Sequence, residues 1–188
     1  MSDILQCQAG HPRYAIRPAT PDDAIAIRRM QAQSWRDTYV NPAAGVSEAW
    51  IQHQTAQWFT PEQLAELHQT IRHICADTEH NLYQVALLDG QVVGFIHASR
   101  TADGKQQLNR LYTARHTHGT GLAQQLMARA DQWFGGGDVM LEVVAYNTRA
   151  IRFYHKAGFA MTDTPMQPPA LGNTLPLATM IRKGGGNQ

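Results

Sequence analysis

The richest chemistry in the chain lies between Arg110 and Met127, RLYTARHTHGTGLAQQLM. A strand pattern runs there into a loop holding Gly119 and Gly121, and the loop opens directly into an amphipathic helix. Glycines at these two positions let backbone amides turn toward a ligand with no Cβ in the way, and a helix N-terminus adds partial positive charge. A diphosphate fits such a place, and an ordinary tight turn accounts for the glycines equally well. Two other phosphate signatures are absent. A dinucleotide fingerprint needs a third glycine where Gln124 stands, and a P-loop needs Gly-Lys-Ser/Thr. The triple glycine at 135–137 reads as a helix stop and turn.

A second stretch, LEVVAYNTRAIRFYHKAGF over 141–159, places a carboxylate and a phenol near one another in sequence. Glu142 alone interrupts the apolar strand 139–144, where by itself it reads as a carboxylate emerging at a strand edge or pairing with an arginine. Asn147 caps a helix whose apolar members Ala150, Phe153, Tyr154 and Ala157 share one face. Taken alone, Tyr154 is more often a packing residue than an acid. None of the nine histidines forms H-E-x-x-H, and His116 with His118 lacks a third ligand nearby, so no metal is expected. Cys7 and Cys75 are too few and too far apart for a cluster or a disulfide framework, which fits a reducing compartment.

The elements that position these residues follow from pattern. After an arm over 1–13, Tyr14 to Arg17 reads as a strand, and Thr20-Pro21-Asp22-Asp23 signals a helix start. That helix is expected to end near Ser34, with 34–45 irregular and Ser47 capping a short helix that carries Trp50 and Ile51. Thr60-Pro61-Glu62-Gln63 opens another helix, which ends near Asp77. Asp89-Gly90 and Asp103-Gly104 then punctuate an antiparallel meander over 82–113. Helix, strand, helix and two short strands complete the order, with a frayed tail over 183–188. The expected fold class is α/β (α+β), one domain over 14–182 with a mixed, mostly antiparallel central sheet and helices packed on it.

At 188 residues and 43% hydrophobic content, the chain is long enough for one sizeable core. Charged residues make up only 16%, which disfavours long disorder. A formal net charge of +1 supplies no field to gather polyanions, so nucleic acid is not expected as a partner. The start lacks a signal-peptide pattern and no stretch approaches a membrane span, so a cytoplasmic protein with no membrane partner is expected.

These two stretches resemble the GNAT superfamily of acetyl-CoA-dependent N-acetyltransferases. His118-Gly119-Thr120-Gly121-Leu122-Ala123 is similar to the family's Gln/Arg-x-x-Gly-x-Gly/Ala loop, with histidine at the first position. Asn147, Ala150, Tyr154, Gly158 and Phe159 fall at matching offsets in the second motif, and the likeness spans roughly Tyr14 to Arg182. The resemblance implies helices on both sheet faces and a splayed pair of strands that receives the pantetheine arm of acetyl-CoA. It places the arm against Leu111, Tyr112 and Thr113, the diphosphate on the loop from His118 to Ala123, and Asn147 near the splay. It implies Tyr154 as the acid that protonates the departing thiolate and Glu142 as the base acting through water. A second branch of the family places its base near Gln107, and an amide cannot serve. Trp35, Arg36, Tyr39 and His97 lie where the family builds an acceptor site, although packing explains the aromatics equally well. The cosubstrate implied is acetyl-CoA without a metal, and the acceptor is an amine. A homodimer, another acyl donor, and a non-catalytic acyl-CoA-binding module all stay open.

Overall fold

The computed structural model describes residues 13–163 and 175–185. Seven strands form one sheet in the order β1-β2-β3-β4-β5-β7-β6. They are β1 (Ala15–Pro18), β2 (Asn81–Leu88), β3 (Gln91–Arg100), β4 (Gln106–Thr113), β5 (Val139–Val144), β6 (Ala160–Met161) and β7 (Leu177–Arg182). Five α-helices accompany them: α1 (Ala24–Thr38), α2 (Glu48–Gln57), α3 (Pro61–Ala76), α4 (Leu122–Phe134) and α5 (Thr148–Lys156). Every strand pair is antiparallel except β4 with β5.

Local chemistry explains the punctuation. The carboxylate of Asp23 accepts from the Thr20 amide at 2.8 Å and from both Arg17 nitrogens at 2.7 and 2.8 Å, pinning the entry to α1. Ser47 and Thr60 accept from the amides of Trp50 and Gln63, starting α2 and α3. Asp89 and Gly90 both have positive φ, the signature of a tight hairpin turn between β2 and β3.

Helices cover both faces of the sheet. Ile27 of α1 and Leu67 and Ile71 of α3 pack with Val85 and Phe95 on one side. On the other, Leu122, Leu126 and Ala130 of α4 pack with Ile96, Leu108 and Leu141, and Tyr154 and Phe159 join the same cluster. A third apolar cluster ties Tyr39 and Val46 to Ile51 of α2, Val144 of β5 and Leu175.

Three boundaries differ from expectation. Helix α1 runs on through Thr38, because Trp35 and Tyr39 continue its inward stripe where an irregular segment was expected. The closing strand, expected over 175–181, covers 177–182 and inserts between β5 and β6. The tail is pinned at its start, since Lys183 pairs with Asp138 at 2.7 Å and the Gly184 amide donates to the same carboxylate at 3.0 Å. The expected arm up to residue 12, Cys7 and the last three residues lie outside the described residues. Cys75 donates its thiol to the Ala19 carbonyl at 3.1 Å.

The feature that shapes the site is a bulge. Across β3 and β4 the register passes from His97↔Arg110 to Ala98↔Leu108, which leaves Asn109 as an extra residue in β4. A bulge bends its strand and increases local twist. At that point the parallel ladder stops: Gln106, Gln107 and Leu108 pair with Val139, Met140 and Leu141, and the two strands then diverge.

Candidate active site

The divergence opens a cleft of about 490 Å³ walled by the free edges of β4 and β5, the loop before α4, α5 and the end of α1. Beyond Leu108, β4 has no partner on its β5 side, so backbone groups along 109–113 face a gap that an extended ligand can fill as an added strand. Leu111, Tyr112 and Thr113 line it.

At one end of the gap stands the glycine loop. Gly119 and Gly121 have φ of +81° and +86°, and the first hydrogen bond of α4 runs from the Gln125 amide to the Gly121 carbonyl. The amides of Gly119, Gly121, Leu122, Ala123 and Gln124 therefore have no partner among the described residues. Such a group of free donors at a helix start is an anion site. Thr120 is turned away from the cleft, its hydroxyl bonded to the Thr117 carbonyl at 2.7 Å and to the Tyr14 hydroxyl at 2.8 Å. His118 faces the cleft with a buried Nε2 that has no hydrogen-bond partner among the described residues. Burial, then the charge of Arg149, pushes its pKa down.

Asn147 and Tyr154 line the middle of the cleft with Glu142. The Asn147 side-chain oxygen is engaged in capping α5, accepting from the Ala150 amide at 3.1 Å, which leaves its NH₂ for a ligand. Tyr154 is only 8% exposed, and its hydroxyl makes no hydrogen bond among the described residues. Burial, reinforced by neighbouring Tyr112, raises its pKa above the ordinary phenol value, and Arg149 partly opposes the rise. Glu142 is exposed to the cleft and makes no ion pair among the described residues. Gln107 lies in the paired part of β4, opposite Met140, short of the gap.

At the far end, Trp35 and Tyr39 form one wall, their rings edge to face at 5.4 Å. Trp35 Nε1 donates to the Tyr112 hydroxyl at 3.2 Å, and Tyr146 donates to the Tyr39 carbonyl at 2.7 Å. Among the described residues, no group of three or more His, Cys, Asp or Glu is placed to hold a metal ion, and no helix is long and apolar enough to cross a membrane.

The profile of the acetyltransferase (GNAT) family matches residues 47–159, which takes in the gap, the loop and Tyr154. The chain belongs to the GNAT acetyltransferase family. An uncharacterised N-acetyltransferase of Mycobacterium bovis is 41% identical over 80 residues, covering 40% of this chain and 51% of the relative. A counterpart in Mycobacterium tuberculosis matches to the same extent, so the chain spans about half the length of the curated relatives it matches. Among solved structures, the PaiA N-acetyltransferase of Thermoplasma acidophilum in complex with coenzyme A superposes with a TM-score of 0.69. It is 23% identical and aligns over 91% of this chain and 99% of its own. A GNAT acetyltransferase of Streptococcus pneumoniae gives 0.69 at 16% identity with the same coverage. At these identities the likeness speaks for the fold.

Two residues expected at the acceptor end of this GNAT domain are not brought there. Arg36 projects to solvent and bonds to Gln33 at 3.1 Å, because one residue past Trp35 the helix has turned by about 100°. His97 sits under α1 and α3, hydrogen-bonded to Asn81 at 3.2 Å, and burial followed by the charge of Arg110 pushes its pKa down to about 4. Sequence reading also missed cleft residues of this GNAT domain, among them Arg110, Arg149 and Phe153. One signal was available for the bulge: Leu108 and Leu111 both pack on the α4 side, three residues apart, which a regular strand of period two cannot achieve.

Proposed function

We propose that this chain transfers an acetyl group from acetyl-CoA to the nitrogen of an amine by direct attack. The observation that carries the reading is the gap between β4 and β5 leading straight to the unpartnered amides of α4. An extended amide-bearing arm fits the first and a diphosphate fits the second. The amides of Gly119 and Gly121 through Gln124, with the cation of Arg149 beside them, hold the diphosphate. Backbone groups of Leu111 to Thr113 and the Asn147 NH₂ hold the arm.

A free amine with a pKa near ~10 is mostly ammonium at neutral pH, and an ammonium has no lone pair to attack a carbonyl. Glu142 is the carboxylate facing this cleft, and it takes the proton, directly or through a water. As the carbon–sulfur bond breaks, the sulfur needs a hydrogen-bond donor. Tyr154 supplies it, with its hydroxyl uncommitted to any group among the described residues. Because its phenol is pushed above the ordinary value while a thiol sits near ~8.5, full proton transfer runs uphill. Tyr154 therefore acts chiefly by stabilising the developing thiolate through a hydrogen bond. Among the described residues no cysteine lines the cleft to offer an acyl-enzyme route, since Cys75 donates its thiol to the Ala19 carbonyl instead.

The test is a screen of amines against acetyl-CoA with detection of released thiol, run in parallel with longer acyl thioesters. Turnover of at least one amine supports the reading. Tight coenzyme A binding with no turnover on any amine would instead identify a binding module.

A further inference from the structure

Two arginines, Arg110 in the cleft wall and Arg28 behind it, have no ion-pair partner among the described residues. The strand register sets Tyr83, His97 and Arg110 side by side across β2, β3 and β4. Arg28 of α1 comes down on the same cluster, its guanidinium 5.3 Å over the ring of Trp58. Burial first, and then the nearby charge of Arg110, disfavour the charge on Arg28; burial pushes the Tyr83 phenol up to about 12, and both guanidiniums partly oppose that rise. Neither forms an ion pair among the described residues, whose bridges involve Arg17, His80, Lys105, Arg182 and Lys183. Glu66, the carboxylate that faces Arg28 from α3, stands beyond ion-pair distance and accepts from Gln63.

The polar accounting is also incomplete. Among the described residues, Arg28 Nε is buried with no hydrogen-bond partner, and the hydroxyl of Tyr83, only 6% exposed, has no hydrogen bond of good geometry, though Arg110 is close enough to donate to it. A buried donor without an acceptor and two like charges held together both cost free energy, which a ligand of the right sign recovers. His97 supplies no further charge, since its depressed pKa keeps it neutral near pH 7. Arg110 opens into the same cleft as Glu142 and Tyr154, so a group bound there is on the path of the acceptor.

We propose that Arg110, backed by Arg28 and Tyr83, binds an anionic group, a carboxylate or a phosphate, carried by the acceptor amine. The proposal rests on the acyl-transfer reading and assigns its acceptor a chemical class. Planar guanidiniums suit both anions through paired N–H bonds. The same charges repel a polyamine.

The experiment compares length-matched amines in four forms: amino acids, aminoalkyl phosphates, their uncharged amide or alcohol counterparts, and diamines. The wild-type protein is expected to favour one of the two anionic sets in kcat/KM over the uncharged set by roughly ten- to a hundredfold, the scale of a hydrogen-bonded charge. Whichever anionic set wins names the anion. Arg110→Gln and, separately, Arg28→Gln should shrink that ratio to within about threefold, through KM more than kcat. Equal rates on charged and uncharged amines, a preference for diamines, or variants that keep the ratio would overturn the proposal. Absence of all turnover would count against acyl transfer itself. The anion site is then decided by titrating N-acetylated amino acids and aminoalkyl phosphates, and their uncharged forms, onto the coenzyme A-loaded protein. Binding of an anionic form that Arg110→Gln abolishes supports the site, and indifference to charge overturns it.

Discussion

Replacing Tyr154 with phenylalanine removes one oxygen from the centre of the cleft. The ring packs edge to face against Phe153 and Phe159, at 5.3 and 5.9 Å, and those contacts survive. The hydroxyl makes no hydrogen bond among the described residues, so no protein group is stranded by its loss. Stability should therefore change by less than ~1 kcal/mol, which in a chain of this size is a shift of roughly 2 to 4 °C at most. Coenzyme A affinity should stay within about threefold. Turnover should fall ~100-fold, the low end for loss of an acid, or about 2.7 kcal/mol of transition-state stabilisation. The pH profile adds a sharper criterion. Burial raises the phenol's pKa, so the hydroxyl stays protonated through neutral and mildly alkaline pH. Tyr154→Phe should then lower the profile of kcat without changing its shape between about pH 6 and 9. Steady-state kinetics, calorimetry and thermal melts on the same preparation measure all three quantities. A wild-type rate would refute the role assigned to Tyr154, and a rate loss matched by losses in melting temperature and coenzyme A affinity would reassign it to packing.

Glu142→Gln keeps volume and hydrogen bonding but removes the proton acceptor. Its kcat/KM should fall most below the amine's pKa and recover as the pH rises toward ~10, and a wild-type profile would exclude Glu142 as the base. Gly121→Glu introduces a side chain at a φ of +86° that disfavours any Cβ and sets a negative charge against the free amides of α4. Apart from its chain neighbours, no atom of the described residues lies within 4 Å of the new Cβ, so the fold should survive while coenzyme A affinity drops at least about tenfold by calorimetry. Unchanged affinity would remove the loop from the binding site. Asp23→Asn tests the α1 entry. Hydrogen bonds from Arg17 hold the Asp23 pKa below the usual carboxylate range, so its stabilisation is present above about pH 4 and is lost as pH falls through the lower folded value. The melting-temperature difference between the variant and wild type should shrink toward zero on acidification, and a gap independent of pH would mean the carboxylate charge is not what stabilises that corner.

Legibility followed the range of the interactions. Caps and turns rest on contacts within four residues, so Ser47, Thr60, Asp89-Gly90 and Asn147 could be read from their own neighbourhoods. The glycine loop was equally local, and its free amides follow from where α4 begins. The gap between β4 and β5 was not local. It came only through family likeness, because it depends on where a parallel pairing ends across some 30 residues of chain. Arg36 and His97 show the limit from the other side. Both sit in the right segment, but about 100° of helix rotation for Arg36, and for His97 a place one strand further from the gap than its cross-strand partner Arg110, decide which side chain enters the cleft, and neither can be fixed without the partner surfaces. Arg28 and Arg110 lie 82 positions apart, and only strand register and helix docking bring them together.

The three-residue ladder between β4 and β5 makes the sheet two half-sheets joined along a short seam. One half is β1 to β4 under α1 and α3, and the other is β5, β7 and β6. A ligand arm laid into the gap works as an eighth strand, stitching the halves along the length they otherwise leave open. Its binding energy is then cohesion of the fold itself. At a hundred times its dissociation constant such a ligand adds ~2.7 kcal/mol to the native state. For a domain whose whole margin is of the order of 5 to 15 kcal/mol, that is a substantial share. On the proposed binding mode, the resistance of this chain to heat and proteolysis becomes a reading of cosubstrate supply, and depletion of the cosubstrate would leave a looser molecule of the same sequence.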